Sequence, residues 1–156
     1  MNILDVVPKK AVFRQTGTPV EPELRPVWRI ALIALILSLL SSGNKANAKK
    51  IQVLCSLISS SDKRQKYFSP TKDLFENFNV RFDPLVDRAI DLGIGGKIFE
   101  LDASKSIKLT KKGLEFAKKI ECDQEIFINE KGFILKFKKS FFTDDVIDRL
   151  VAGVRL

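Results

Sequence analysis

The segment from Pro26 to Leu40 constrains the fold more than any other part of the chain. From Val27 it reads Val-Trp-Arg-Ile-Ala-Leu-Ile-Ala-Leu-Ile-Leu-Ser-Leu-Leu, and Ser41, Ser42, Gly43 and Asn44 close it abruptly. A bilayer span needs about 20 apolar residues. This run is shorter and has Arg29 near its start, so the expectation is a buried helix and not a membrane anchor. A helix that is apolar all round must be covered all round. Either the N-terminal arm and the C-terminal segment wrap it, or a partner covers one face. The 156 residues have room for one ordinary domain with arms, or for two small lobes. With 45% hydrophobic and 29% charged residues, the chain is globular in composition and not disordered.

The second organising stretch, Asp83 to Ile120, reads helix, hairpin, helix. Asp83-Pro84 is a helix start, because Asp accepts from first-turn amides and Pro at the first position loses no bond. Leu85, Val86, Ala89 and Ile90 predict one buried face, and Gly93, Gly95 and Gly96 predict the stop. Residues 97–101 and 106–109 predict paired strands around a polar tip at 102–105. Thr110 is placed to cap a closing helix whose core face is Gly113, Phe116, Ala117 and Ile120. This order, with Leu109-Thr110-Lys111-Lys112-Gly113 leaving the hairpin, resembles the wing and closing helix of winged helix-turn-helix domains. That fold serves both DNA reading and protein docking, so the likeness narrows architecture more than function.

The remaining segments complete an α+β, mainly helical reading. Residues 1–25 carry Pro8, Pro19 and Pro22 and predict an extended arm, apolar at Ile3, Leu4, Val12 and Phe13. Residues 26–121 are read as the winged-helix domain. In it Asn44 is expected to cap a helix with Ile51, Leu54, Cys55 and Ile58 inward, leaving Lys45, Lys49 and Lys50 in solvent. A polar turn and short helix follow at 59–66. Another helix is expected from Pro70, with Leu74, Phe75 and Phe78 inward, and then an extended piece at 79–82 that could join the sheet. Residues 122–156 are read as a C-terminal β-hairpin and short helix packed on that domain. The hairpin strands are 125–129 and 133–137 around Glu130-Lys131-Gly132, and Thr143 caps the helix through Val146, Ile147 and Leu150.

Histidine is absent from the chain, which removes the commonest general base, most zinc sites and the Ser-His and Cys-His nucleophile pairs. Asp144-Asp145 lie in a helix first turn, where negative charge suits the dipole. Asp87 and Asp91 share a helix face with no other ligand type near them. The glycines at 93–96 lack the lysine-hydroxyl pair of a phosphate loop and lead into a strand. The expectation is therefore no enzyme, no cofactor and no metal. Two cysteines and no signal-peptide pattern point to a reducing cytoplasm, with Cys55 a buried free thiol.

Net charge is +8, which favours an anionic partner such as nucleic acid. The helix that would enter a major groove sets Asp83, Asp87 and Asp91 against Arg88 alone, and it has no Asn or Gln to read adenine. Base reading is not expected from it. The hairpin side sets Lys105, Lys108, Lys111, Lys112, Lys118 and Lys119 against Glu115. With Lys45, Lys49 and Lys50 alongside, this patch predicts sequence-independent phosphate contact.

Arg25-Pro26-Val27-Trp28-Arg29-Ile30-Ala31-Leu32-Ile33, with the Ser-Ser-Gly-Asn-Lys turn and helix that follow, resembles the small middle component of bacterial three-component ABC systems. In particular it resembles the accessory subunit of Lamassu-type anti-phage defence. The likeness runs over about residues 25–120, by pattern and without a catalytic motif. It implies a non-catalytic bridge between a large SMC-like ATPase and an effector nuclease, with nonspecific double-stranded DNA as a further contact. Ile3, Leu4, Val12, Phe13, Trp28 and Arg29 are the candidate partner-binding residues. The competing expectation is a winged-helix transcription regulator, homodimeric through Pro26 to Leu40.

Overall fold

A computed structural model describes residue 17 and residues 20–67 and 80–152. Helix α1 (Pro26–Leu39) starts on a proline whose missing N–H costs nothing at that position. Residues Ala31 through Leu37 are each at most 6% exposed. Burying each Leu or Ile of that run contributes about 1.5–3 kcal/mol. The cover is the chain itself: α2 (Ala48–Ser59), α4 (Pro84–Gly95) and α5 (Lys111–Cys122) all pack on α1. Much of the cover thus comes from within the domain, and from the C-terminal segment Phe127 stacks on Trp28 of α1, while residues 1–16 of the expected arm lie outside the described residues. Of the segment through which a second copy was expected to dock, residues 31–37 are buried, while Val27 is exposed and Trp28, Ile30 and Leu39 are half-buried.

The turn after α1 is tight. Gly43 and Asn44 both take left-handed backbone, with φ of 67° and 54°. Lys45–Ala46 then extend as strand β1, so α2 starts later than expected and Asn47, not Asn44, is its cap. The Asn47 side chain accepts from the Lys50 N–H at 2.8 Å. More of α2 is buried than the predicted face, including Val53, Leu57 and Gln52. The reason is position: α1 lies against it on one side, and α6 (Ile128–Ile134) and α7 (Asp144–Ala152) also pack on it. The short polar helix expected next is α3 (Ser61–Tyr67). The helix expected from Pro70 lies outside the described residues, as do residues 1–16 of the arm.

Asp83 caps α4 as expected, accepting from the Leu85 N–H at 2.9 Å. Leu85 itself is 38% exposed, because the inward face is Val86, Ala89, Ile90 and Gly93. Gly93 does not stop the helix, which runs on to Gly95. It makes room instead: a Cβ there would sit 2.3 Å from the Phe99 ring.

Strands β2 (Phe99–Leu101) and β3 (Ile107–Leu109) form the expected hairpin in shorter form. The third strand is β1, not residues 80–82 of the extended piece (residue 79 lies outside the described residues), and the antiparallel sheet has the order β1-β3-β2. Thr110 caps α5, accepting from the Gly113 N–H at 3.0 Å. Gly113, Ala117 and Ile120 are buried and Phe116 is half-buried. The described residues are thus mainly helical with one small antiparallel sheet, an α+β arrangement.

The expected C-terminal β-hairpin is wrong. Residues 128–134 are helical, and Leu135, which an alternating strand would bury, is 67% exposed. Phe133 and Ile134 are adjacent and both buried, which a strand with one covered face cannot do. Phe127, half-buried, starts α6 from a left-handed conformation with φ 51°. Phe133, Phe137, Phe142 and Tyr67 then stack on one another with ring centroids 4.9–5.9 Å apart. Thr143 is placed as expected at the start of α7, with Ile147 and Leu150 buried.

Candidate functional site

The pleat of the three-stranded sheet sorts its side chains. Ala46, Ile107, Leu109 and Phe99 turn inward, while Lys45, Lys108 and Glu100 lie in register across the outer face. The hairpin tip is locked by Asp102, whose carboxylate accepts from the Ser104 N–H, the Ser104 hydroxyl and the Ser106 N–H at 2.6–3.0 Å. Lys45 Nζ reaches the same carboxylate at 2.9 Å. The Ser104 hydroxyl first, and Lys45 next, hold Asp102 well below the usual carboxylate range. Lys105 is then presented on the tip in a left-handed conformation, φ 61°.

The seven lysines expected on a phosphate-binding surface separate into distinct groups. Lys105, Lys108 and Lys111 are exposed, and none forms an ion pair among the described residues. Lys112 is exposed and donates to the Gly96 carbonyl at 2.9 Å. Lys45 is committed to Asp102, and Lys49 to Asp148 of α7 at 2.5 Å. Lys50 does not stay in solvent: it is 9% exposed. Burial lowers its pKa, partly offset by the Asp144 carboxylate. The free positive charge therefore concentrates on the hairpin and the first turn of α5, and the neighbouring helix adds little.

Helix α4 presents a different surface from the one its composition predicts. Arg29 Nη1 pairs with Asp83 at 2.9 Å. Gln52, 3% exposed, donates to the Asp83 carbonyl and to the Asp87 carboxylate, and accepts from the Asp83 N–H, at 2.9–3.1 Å. Two of the three carboxylates are thereby tied to α1 and α2. Outward remain Arg88, Asp91 and two leucines, Leu85 at 38% and Leu92 at 48% exposure, with Phe82 at 59% just before the helix. No sequence signal marked Gln52, which sits beside the apolar face of its helix. Its amide oxygen supplies the partner of the Asp83 N–H, and its amide N–H adds a second donor to the Asp83 carbonyl, which also accepts from the Val86 N–H. Gln52→Ala is expected to cost about 1–3 kcal/mol, because the part-buried Asp83 N–H loses its partner and the Asp87 carboxylate loses a donor. Urea denaturation of the variant checks this.

Among the candidate partner-binding residues, Trp28 is half-buried and stacks on Phe127 with centroids 5.1 Å apart, and Arg29 ends on Asp83. Ile3, Leu4, Val12 and Phe13 lie outside the described residues. Among the described residues no group of three His, Cys, Asp or Glu side chains lies together as a metal site would require. Cys55 is a buried free thiol, as expected, and burial pushes its pKa up to about 12. Cys122 is exposed. Reactivity follows the thiolate, so a water-soluble thiol reagent is expected to label one cysteine per folded chain, at Cys122, and the second only after denaturation. Mass spectrometry of the labelled peptides checks this.

No family model matches the chain, and neither does any curated protein or solved structure.

Proposed function

We propose that the chain is a non-catalytic docking subunit of winged-helix type. In this reading it ties an SMC-like ABC ATPase to an effector nuclease in bacterial anti-phage or anti-plasmid defence, and touches duplex DNA without reading its sequence. The order helix, strand, three helices, hairpin, helix, with β3 between β1 and β2, supports the winged-helix part. The docking part is carried by one observation, the outward face of α4. Leu85 and Leu92 are seven residues apart, on one side of the helix, and both are exposed. A helix that reads bases fills that side with hydrogen-bonding groups. A helix that docks on protein fills it with apolar anchors. The class of partner rests on the resemblance of residues 25–33 and the turn after them.

Co-expression with a large SMC-like ABC ATPase from the same genome, one partner tagged, tests the reading. A stable complex that Leu85→Asp with Leu92→Asp disrupts is the expected result. A monomer that ignores the ATPase overturns it.

The DNA contact has its own test. Lys105→Glu, Lys108→Glu and Lys111→Glu together are expected to weaken binding to any duplex alike. They should also make the salt dependence shallower by about 3 in log–log slope, given about 0.9 per phosphate contact. Fluorescence anisotropy on two unrelated duplexes at several salt concentrations checks both points. A strong preference for one duplex would favour a sequence-reading regulator instead.

A further inference from the structure

The sheet order β1-β3-β2 leaves β2 as an edge strand. Its pairing with β3 fixes which backbone groups face outward. Thr110 N–H donates to the Ile98 carbonyl at 3.1 Å, and Asp102 N–H to the Ser106 carbonyl at 3.0 Å. Hydrogen-bonded and non-bonded pairs alternate along an antiparallel ladder. Phe99 and Leu101, opposite Leu109 and Ile107, are therefore the non-bonded positions. Their N–H and C=O groups point away from β3, and among the described residues no backbone partner meets them. Alongside runs an open groove of about 540 Å³ lined by Ile94, Phe99 and Leu101. Leu101 is 59% exposed. The rim carries Lys97, Lys111 and Lys112 against Glu100.

We propose that this edge takes an extended acidic segment of a partner protein as an added strand beside β2. An unpaired edge is completed by another strand, whose backbone supplies the bonds and whose alternate side chains fill the groove. The sign of the rim selects the occupant. Three lysines attract glutamate and aspartate on the added strand, and they repel the same edge of a second copy. They also repel the chain's own apolar stretch near its start, where Lys9, Lys10 and Arg14 outnumber Asp5. The proposal goes beyond the docking of α4 and does not depend on the ATPase being the partner.

The test uses the full chain, isotope-labelled, and a capped synthetic peptide of about seven residues alternating glutamate with valine. The peptide is expected to slow hydrogen exchange at the Phe99 and Leu101 amides. It should bind at least about tenfold more tightly than a version with lysine in place of glutamate. Leu101→Pro should abolish binding while leaving the hairpin intact, since the N–H it removes is not part of the ladder. Lys111→Glu with Lys112→Glu, a surface change that decides the matter if the proline variant misfolds, should reverse the charge preference. Three results would overturn the proposal: amides at Phe99 and Leu101 already protected in the free chain, equal binding of both peptides, or no binding at millimolar peptide.

Discussion

Leu35→Ala is expected to remove about 2–5 kcal/mol of stability, the range for truncating a fully buried leucine in a well-packed core. Leu35 is 0% exposed within a seven-residue run, Ala31 to Leu37, whose members are each at most 6% exposed. Helices α2, α4 and α5 all pack on α1, and elements so placed cannot all close on one gap. A domain of this size has about 5–15 kcal/mol in total, so the variant gives up a large share of it. Val27→Ala is the matched control: it lies on the same helix, is 68% exposed, and is expected to change stability by no more than about 0.5 kcal/mol. The single tryptophan, Trp28, is half-buried against Phe127, so its fluorescence follows urea unfolding of both variants. Equal losses at positions 27 and 35 would mean that α1 is not enclosed as described.

Gly113→Ala tests the contact between the closing helix and the hairpin, and its sign is the informative part. By helix propensity alone, alanine should gain about 1 kcal/mol over glycine. A Cβ at Gly113, however, would lie 2.1 Å from the Ile98 carbonyl oxygen and 3.0 Å from the Leu109 side chain. That carbonyl accepts from the Thr110 N–H and hydroxyl, so it cannot retreat without loosening the base of the hairpin. Overpacking of this kind costs about 1–3 kcal/mol or more. Net destabilisation is expected. Gly132→Ala, in α6 with nothing within 4 Å of its Cβ, is expected to stabilise by up to about 1 kcal/mol. Opposite shifts in thermal midpoint for these two substitutions would separate helix propensity from the packing that opposes it. Shifts of the same sign would refute the close approach at Gly113.

The surfaces argued to bind partners were only partly legible in the residues. The lysines of the hairpin and of α5 are visible as a run, and Lys105, Lys108 and Lys111 do stand free of carboxylates among the described residues. That Lys49 ends on Asp148 and Lys45 on Asp102 depends on elements 99 and 57 residues away. The acidity of α4 is likewise visible, but not that Arg29 and Gln52 draw Asp83 and Asp87 inward and leave leucines outside. Charge counted along a helix measures what is present there. It does not measure what remains once distant side chains have taken their share.

By itself the sequence determined the features whose physics is local. The burial of α1 follows from having no polar face to expose. The caps at Asp83, Thr110 and Thr143 follow from short side chains that reach amides within a few residues. The hairpin at 99–109 follows from two short β-prone runs around a polar tip. The tertiary structure alone decided the rest. Residues 125–137 carry an apolar pattern that fits either period, and the helix prevails because it places Phe133 and Ile134 together against the core, whereas a strand would turn one of them to water. Lys45–Ala46 are too short to announce a strand and become one only because β3 lies beside them. The cover on α1, the partners of Asp83 and the open edge of β2 are all relations between segments far apart in the chain, and no local pattern encodes them.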